Sequence, residues 1–95
     1  MEFELPSIKG FTIYSKSGCP NCTKVKQLLK QESSPFIMVD CDEYLVEQRD
    51  LFLLFIKEMA GKSYTLFPMV FHNGDFIGGF KETQEFLKEN LTFDE

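Results

Sequence analysis

The chain has 95 residues, a length suited to one domain, with 10 basic against 15 acidic side chains and a net charge of −5. That acidic balance argues against a general nucleic-acid binder, while 43% hydrophobic content with 11 Phe allows a core without disulfide staples. The first residues, MEFELPSIKG, carry acids and no long apolar run, and no stretch is apolar for long enough to span a bilayer. A single domain over 1–95, with its core at about 9–92, is therefore expected, cytoplasmic, without membrane contact and monomeric.

Phe11-Thr12-Ile13-Tyr14 is β-branched and aromatic and predicts a first strand. Lys16-Ser17-Gly18 reads as a loop, and Pro20 suits the first position of a helix, where no N–H is needed. Cys22, Val25, Leu28 and Leu29 then recur at helical spacing until Ser33-Ser34-Pro35 stops the helix. Phe36-Ile37-Met38-Val39 is a continuous apolar run, the pattern of a strand buried on both faces. Asp40 to Glu43 reads as an acidic turn, followed by one long helix over Leu45 to Ala60 that ends at Gly61. The apolar residues of that helix wrap more than one face, as expected of a helix packed broadly on a sheet. Met69 to His72 and Asp75 to Ile77 flank Asn73-Gly74, the strongest short-range hairpin signal. Phe80 to Leu91 closes the chain as an amphipathic helix with Phe86, Leu87 and Leu91 inward, before an acidic tail at 92–95. The order β-α-β-α-β-β-α implies an α/β fold, a four-stranded mixed sheet flanked by helices.

Three cysteines is an odd count without the spacing of a disulfide framework. Two of them stand as Cys19-Pro20-Asn21-Cys22, between the first strand and the first helix. A cysteine there faces the unpaired N–H groups of the first helical turn, whose dipoles favour thiolate over thiol. Lys16 adds a cation three residues earlier, and Lys24 and Lys26 make this end basic on an acidic protein. Cys19 is thus the expected nucleophile. Cys22, one turn later, is the expected resolving thiol, and Pro20 stiffens the loop between them. The other chemistry open to these residues is a structural zinc site of Cys19, Cys22, Cys41 and His72. The wide spacing of Cys41 and His72 speaks against it. No metal is expected; Cys41 reads as a semi-buried thiol and His72 as a surface residue of the hairpin.

With CPNC set on this element order, the chain resembles a dithiol glutaredoxin of the thioredoxin-like superfamily over roughly residues 9 to 92. The resemblance rests on Lys16-x-x-Cys19-Pro20-x-Cys22, Pro68 before the third strand and Gly78-Gly79 after the fourth. It implies a cis Pro68 and a glutathione site. There the Phe67 backbone would pair with the cysteinyl part of glutathione and Lys16 with the glycyl carboxylate. Gly78 and Gly79 would allow close backbone approach, and the N–H groups of Lys81 and Glu82 would receive the γ-glutamyl carboxylate. Asn21 stands where the family usually has an aromatic residue, and Leu66-Phe67 where it has Thr-Val. Lys62 and Tyr64 compete for the place of a basic or amide side chain in the loop before Pro68. The implied activity is glutathione-dependent reduction of protein disulfides and glutathione mixed disulfides. Glutathione would be the reductant, no cofactor would be tightly bound, and ribonucleotide reductase is among the implied clients. Two alternatives share the fold: a redoxin reduced by thioredoxin reductase, and a glutathione-ligated [2Fe–2S] cluster binder. Pro20 and Cys22 weigh against the second.

Overall fold

The computed structural model of the chain describes residues 2–91. The elements run β1 (Phe11–Ser15), α1 (Pro20–Gln31), β2 (Phe36–Asp40), α2 (Asp42–Glu47), α3 (Arg49–Ala60), β3 (Met69–His72), β4 (Asp75–Gly78) and α4 (Phe80–Leu91). The strands form one sheet in the order β2-β1-β3-β4. β1 and β2 pair in parallel, while β1–β3 and β3–β4 are antiparallel. This is the expected four-stranded mixed sheet with helices on both faces.

Successive residues of a strand point to opposite faces, and β1 shows both cores. Phe11 and Ile13 pack with Val25 and Leu29 of α1, Val70 of β3 and Leu87 of α4. Tyr14 faces the other way, into a cluster with Val39, Cys41, Phe52, Ile56, Met69 and Phe71. The N-terminal segment closes this second cluster. Phe3 sets its ring 4.9 Å from Tyr44, 5.5 Å from Phe52 and 5.3 Å from Phe55, and Tyr14 Oη donates to the Glu4 carbonyl at 2.5 Å. The hairpin forms as its sequence directs: Asn73 and Gly74 both have positive φ, 52° and 87°. Asn73 also ties the turn to the start of β1, accepting from the Gly10 N–H at 2.7 Å.

Two expectations change. The long middle helix is two helices: Asp42 and Glu43 open α2 instead of forming a turn, and the chain breaks at Gln48 (φ −145°, ψ 55°) before α3 begins. Acids in a first turn match the positive end of the helix dipole, so the acidic run starts a helix. The break also accounts for apolar residues on more than one face: Tyr44 and Leu45 of α2 meet the core separately from Phe52 and Ile56 of α3. Second, β2 is an edge strand. Ile37 is 49% and Met38 36% exposed, because the helices that cover the central strands do not extend over the sheet's border. The last helix runs as expected, with Phe86 half-buried and Leu87 buried. The expectations for the Leu91 side chain and the tail at 92–95 fall outside the described residues. Among the described residues no helix is long and apolar enough to cross a membrane.

Candidate active site

Cys19 is the N-cap of α1, in extended conformation (φ −119°, ψ 97°), with Pro20 as the first helical residue. Its sulfur accepts the backbone N–H of Cys22 at 3.1 Å, and its carbonyl accepts from Cys22 and Thr23 at 3.1 and 3.3 Å. The helix start therefore turns an N–H onto the sulfur, the arrangement that favours a thiolate once the pair is reduced. The structure holds Cys19 and Cys22 as a disulfide, Cα atoms 5.3 Å apart. Cys22 is 3% exposed, and Cys19 is half-buried. An incoming thiolate reaches the Cys19 sulfur, and Cys22 stays behind it. Pro20 and Asn21 are exposed at the rim.

The register of β1 against β3 brings the next group in. Tyr14 lies opposite Met69, so the segment that leaves β1 and the one that enters β3 meet at the same end of the sheet. Lys16 accordingly places its ammonium 5.5 Å from the Phe67 ring centroid. Phe67 stacks on Phe52 beneath it (6.4 Å, 10° between planes), which anchors the rim to the core. The Phe67–Pro68 peptide is cis, as the resemblance implied, and Pro68 is fully buried. Lys16, Phe67 and Pro68 thus gather at the end of β1 from which the loop to Cys19 leaves.

A second cluster forms at the start of α4. Glu82 reaches back to accept the Gly79 N–H at 2.9 Å, and Thr83 donates its N–H and hydroxyl to the Gly79 carbonyl at 3.0 and 2.8 Å. The Glu82 bond is one half of a capping box, with Gly79 at the cap and no side chain there to return it. Gly78 needs to be glycine twice over: its φ is +132°, and a Cβ would lie 2.8 Å from the Glu82 side chain. A Cβ on Gly79 would lie 3.2 Å from Tyr64 Oη, 3.5 Å from Glu82 Oε1 and 3.6 Å from the Pro68 carbonyl oxygen. The glycines are thus bordered by the protein's own polar groups, and the Pro68 carbonyl joins this cluster to the first. Lys81 is exposed on the first turn of α4.

Two participants were weakly or not at all legible beforehand. Asp42, first residue of α2, accepts the Ser17 N–H at 2.9 Å and also the Ser17 hydroxyl, pinning the loop that leads to Cys19. Those two hydrogen bonds, helped by Lys16, hold its carboxyl below the usual range. No local pattern links residues 25 apart. Tyr64 stood only as one of two choices for its loop. Its ring packs edge-on to Phe76 at 4.8 Å, and burial, then the Glu82 charge, raises its phenol pKa.

Cys41 and His72 do not join the pair. Cys41 is wholly buried, deeper than expected, with its thiol donating to the Val39 carbonyl at 3.6 Å and its pKa raised to about 12 by burial and by Asp40. His72 lies opposite Phe11, at the far end of β1 from Cys19, wedged between Phe11 and Phe86 at 4.6 and 4.9 Å. It is half-buried, not a free surface group, because α4 passes over the end of the hairpin. Among the described residues no three His, Cys, Asp or Glu side chains gather to hold a metal.

Comparison with known proteins agrees with this geometry. The glutaredoxin family model matches residues 11–77. Glutaredoxin 1 of Escherichia coli is 30% identical over 84 residues, 83% of this chain and 93% of that protein. Hybrid peroxiredoxin hyPrx5 of Haemophilus influenzae is 30% identical over 79 residues, 83% of this chain but only 30% of that longer protein. Among solved structures, glutaredoxin 1 from Francisella tularensis, in complex with cacodylate, superposes with a TM-score of 0.74 at 26% identity, covering 85% of this chain and 94% of that one. A half-buried cysteine capping a helix, its partner one turn behind and a cis proline before β3 fit the thiol–disulfide oxidoreductase activity that this family implies, and the chain belongs to the glutaredoxin family.

Proposed function

We propose that this protein reduces protein disulfides and glutathione mixed disulfides with electrons from glutathione. The observation that carries the reading is the Lys16 ammonium set over Phe67, next to the cis Pro68, three residues before the half-buried Cys19. A cis proline leaves the N–H and C=O of Phe67 as an edge to which the cysteinyl residue of glutathione adds like a short strand. Glutathione carries two carboxylates, and the Lys16 ammonium supplies the opposite charge at one end of that edge.

In the dithiol route the Cys19 thiolate attacks one sulfur of a client disulfide. The client S–S bond breaks, one client thiol leaves with a proton, and a mixed disulfide remains on Cys19. Cys22, deprotonated, attacks Cys19, forms the Cys19–Cys22 disulfide seen here and releases the second client thiol. Two glutathione thiols then restore the dithiol and leave as glutathione disulfide, so two electrons pass from glutathione to client. In the monothiol route Cys19 takes the glutathionyl group from a mixed disulfide, and a second glutathione removes it. Such a pair cycles in a reducing compartment; we place the protein in the cytoplasm as a monomer, with ribonucleotide reductase as one client type.

The test supplies oxidised protein with NADPH and either glutathione plus glutathione reductase or thioredoxin reductase alone. Reduction of Cys19–Cys22 by the glutathione system supports the reading. Reduction only by thioredoxin reductase replaces the donor and leaves the dithiol chemistry standing.

A further inference from the structure

We infer that Tyr64 is a specificity-determining residue of this site: its hydroxyl donates a hydrogen bond to the α-carboxylate of the γ-glutamyl group of glutathione. The inference rests on the glutathione reading above and assigns a role within it. Tyr64 Oη stands over Gly79, 3.2 Å from where a Cβ on that residue would lie, beside Glu82 Oε1 and the Pro68 carbonyl oxygen. Among the described residues its hydroxyl has no hydrogen-bond partner, although the ring is fixed edge-on to Phe76. Burial and the neighbouring Glu82 charge raise its pKa, so the hydroxyl keeps its proton and remains a donor through the neutral range.

The corner as a whole complements one kind of group. Glu82 and the Pro68 carbonyl offer only acceptors, which suit an ammonium. A carboxylate next to them meets the Glu82 charge and needs donors of its own. The first-turn N–H groups of α4 supply some, and Tyr64 supplies a side-chain hydroxyl beside Gly79 that, unlike the Thr83 hydroxyl, is not already given to the Gly79 carbonyl. Donor and acceptors a few ångström apart match a zwitterionic α-amino-acid head, which is the far end of the γ-glutamyl group. Tyr64 does not touch the reacting sulfurs, so its effect belongs to substrate choice and not to the exchange step.

The experiment compares wild type with Tyr64→Phe, which keeps the ring on Phe76 and removes only the hydroxyl. Two mixed disulfides of 2-mercaptoethanol are used. One carries glutathione; the other carries 4-aminobutyryl-cysteinylglycine, which retains the length and the ammonium and lacks the α-carboxylate. The expected result is a wild-type preference for the glutathione substrate that shrinks about three- to tenfold in Tyr64→Phe, the span of one hydrogen bond, through KM. The rate on the analogue stays unchanged. A preference that survives intact in Tyr64→Phe, or equal losses on both substrates, overturns the Tyr64 assignment alone. Wild type that shows no preference for the glutathione substrate likewise overturns the Tyr64 assignment, whereas wild type that is inactive on it overturns the glutathione reading as well.

Discussion

The carboxylate of Asp42 accepts two hydrogen bonds from Ser17, one from its N–H at 2.9 Å and one from its hydroxyl. The loop that carries Lys16 toward Phe67 and leads into Cys19 is thereby fixed to the first residue of α2. The two bonds depress the Asp42 pKa, with Lys16 contributing after them. A depressed carboxyl stabilises the fold above its unfolded pKa, and that contribution is lost as pH falls through its folded one. Asp42→Asn should therefore unfold at lower denaturant than wild type at pH 7, and the gap should close as the solution is acidified below the carboxylate range. A gap independent of pH would contradict this role for the charge.

Lys16 faces the Phe67 ring, and on the glutathione reading its ammonium meets a ligand carboxylate. Lys16→Gln should raise KM for a glutathione mixed disulfide and flatten its dependence on salt, because a rim charge acts through screened attraction. A loss of about threefold or more at low ionic strength, vanishing at high salt, is the expected size. Steady-state kinetics at two salt concentrations measure it, and unchanged KM at both would remove Lys16 from the ligand's path.

Cys41 is buried against Tyr14, Phe52 and Met69, and its pKa is raised from 9.0 to about 12, chiefly by burial. A thiol held protonated in the fold costs nothing at neutral pH. Above about pH 9 the unfolded chain ionises it and the native state does not, so stability should fall as pH rises, by an amount on the order of 1 kcal/mol per unit. Denaturant midpoints from pH 8 to 11 should fall less steeply in Cys41→Ala than in wild type. In the reduced native protein, iodoacetamide should label Cys19 and spare Cys41; rapid native labelling of Cys41 would contradict its burial.

Phe52 joins the rim to the rest of the molecule. It is fully buried and meets Phe3, Tyr14, Tyr44, Phe55 and Phe67. Phe52→Ala should cost about 3–5 kcal/mol by urea unfolding, from lost burial and the cavity left behind. A cost below about 1 kcal/mol would mean that the aromatic cluster does not hold α3 to the sheet.

What could be read from the sequence was whatever local pattern encodes. CPNC between a strand and an amphipathic run located the helix cap, and Asn73-Gly74 located the hairpin whose positive φ values the structure shows. Pro68 was legible as cis only through resemblance, since nothing local distinguishes it from a trans proline. The misread parts turn on tertiary context. Phe36 to Val39 is apolar enough for a central strand, yet sheet order puts it at the border, where Ile37 and Met38 meet solvent. The break at Gln48 and the Ser17–Asp42 bonds depend on how α2 sits beside the cysteine loop, which no window of residues records. Tyr64 could be named from its loop but not aimed, because its reach to Gly79 requires the β3–β4 hairpin to be folded.

The most direct test is glutathione-dependent reduction of a small glutathione mixed disulfide by wild type, Cys19→Ser and Cys22→Ser. Turnover by wild type, none by Cys19→Ser and retained turnover by Cys22→Ser is the result expected if the half-buried Cys19 is the nucleophile and the buried Cys22 the sulfur behind it. Activity that survives Cys19→Ser, or wild type that is inert with glutathione, would contradict the account.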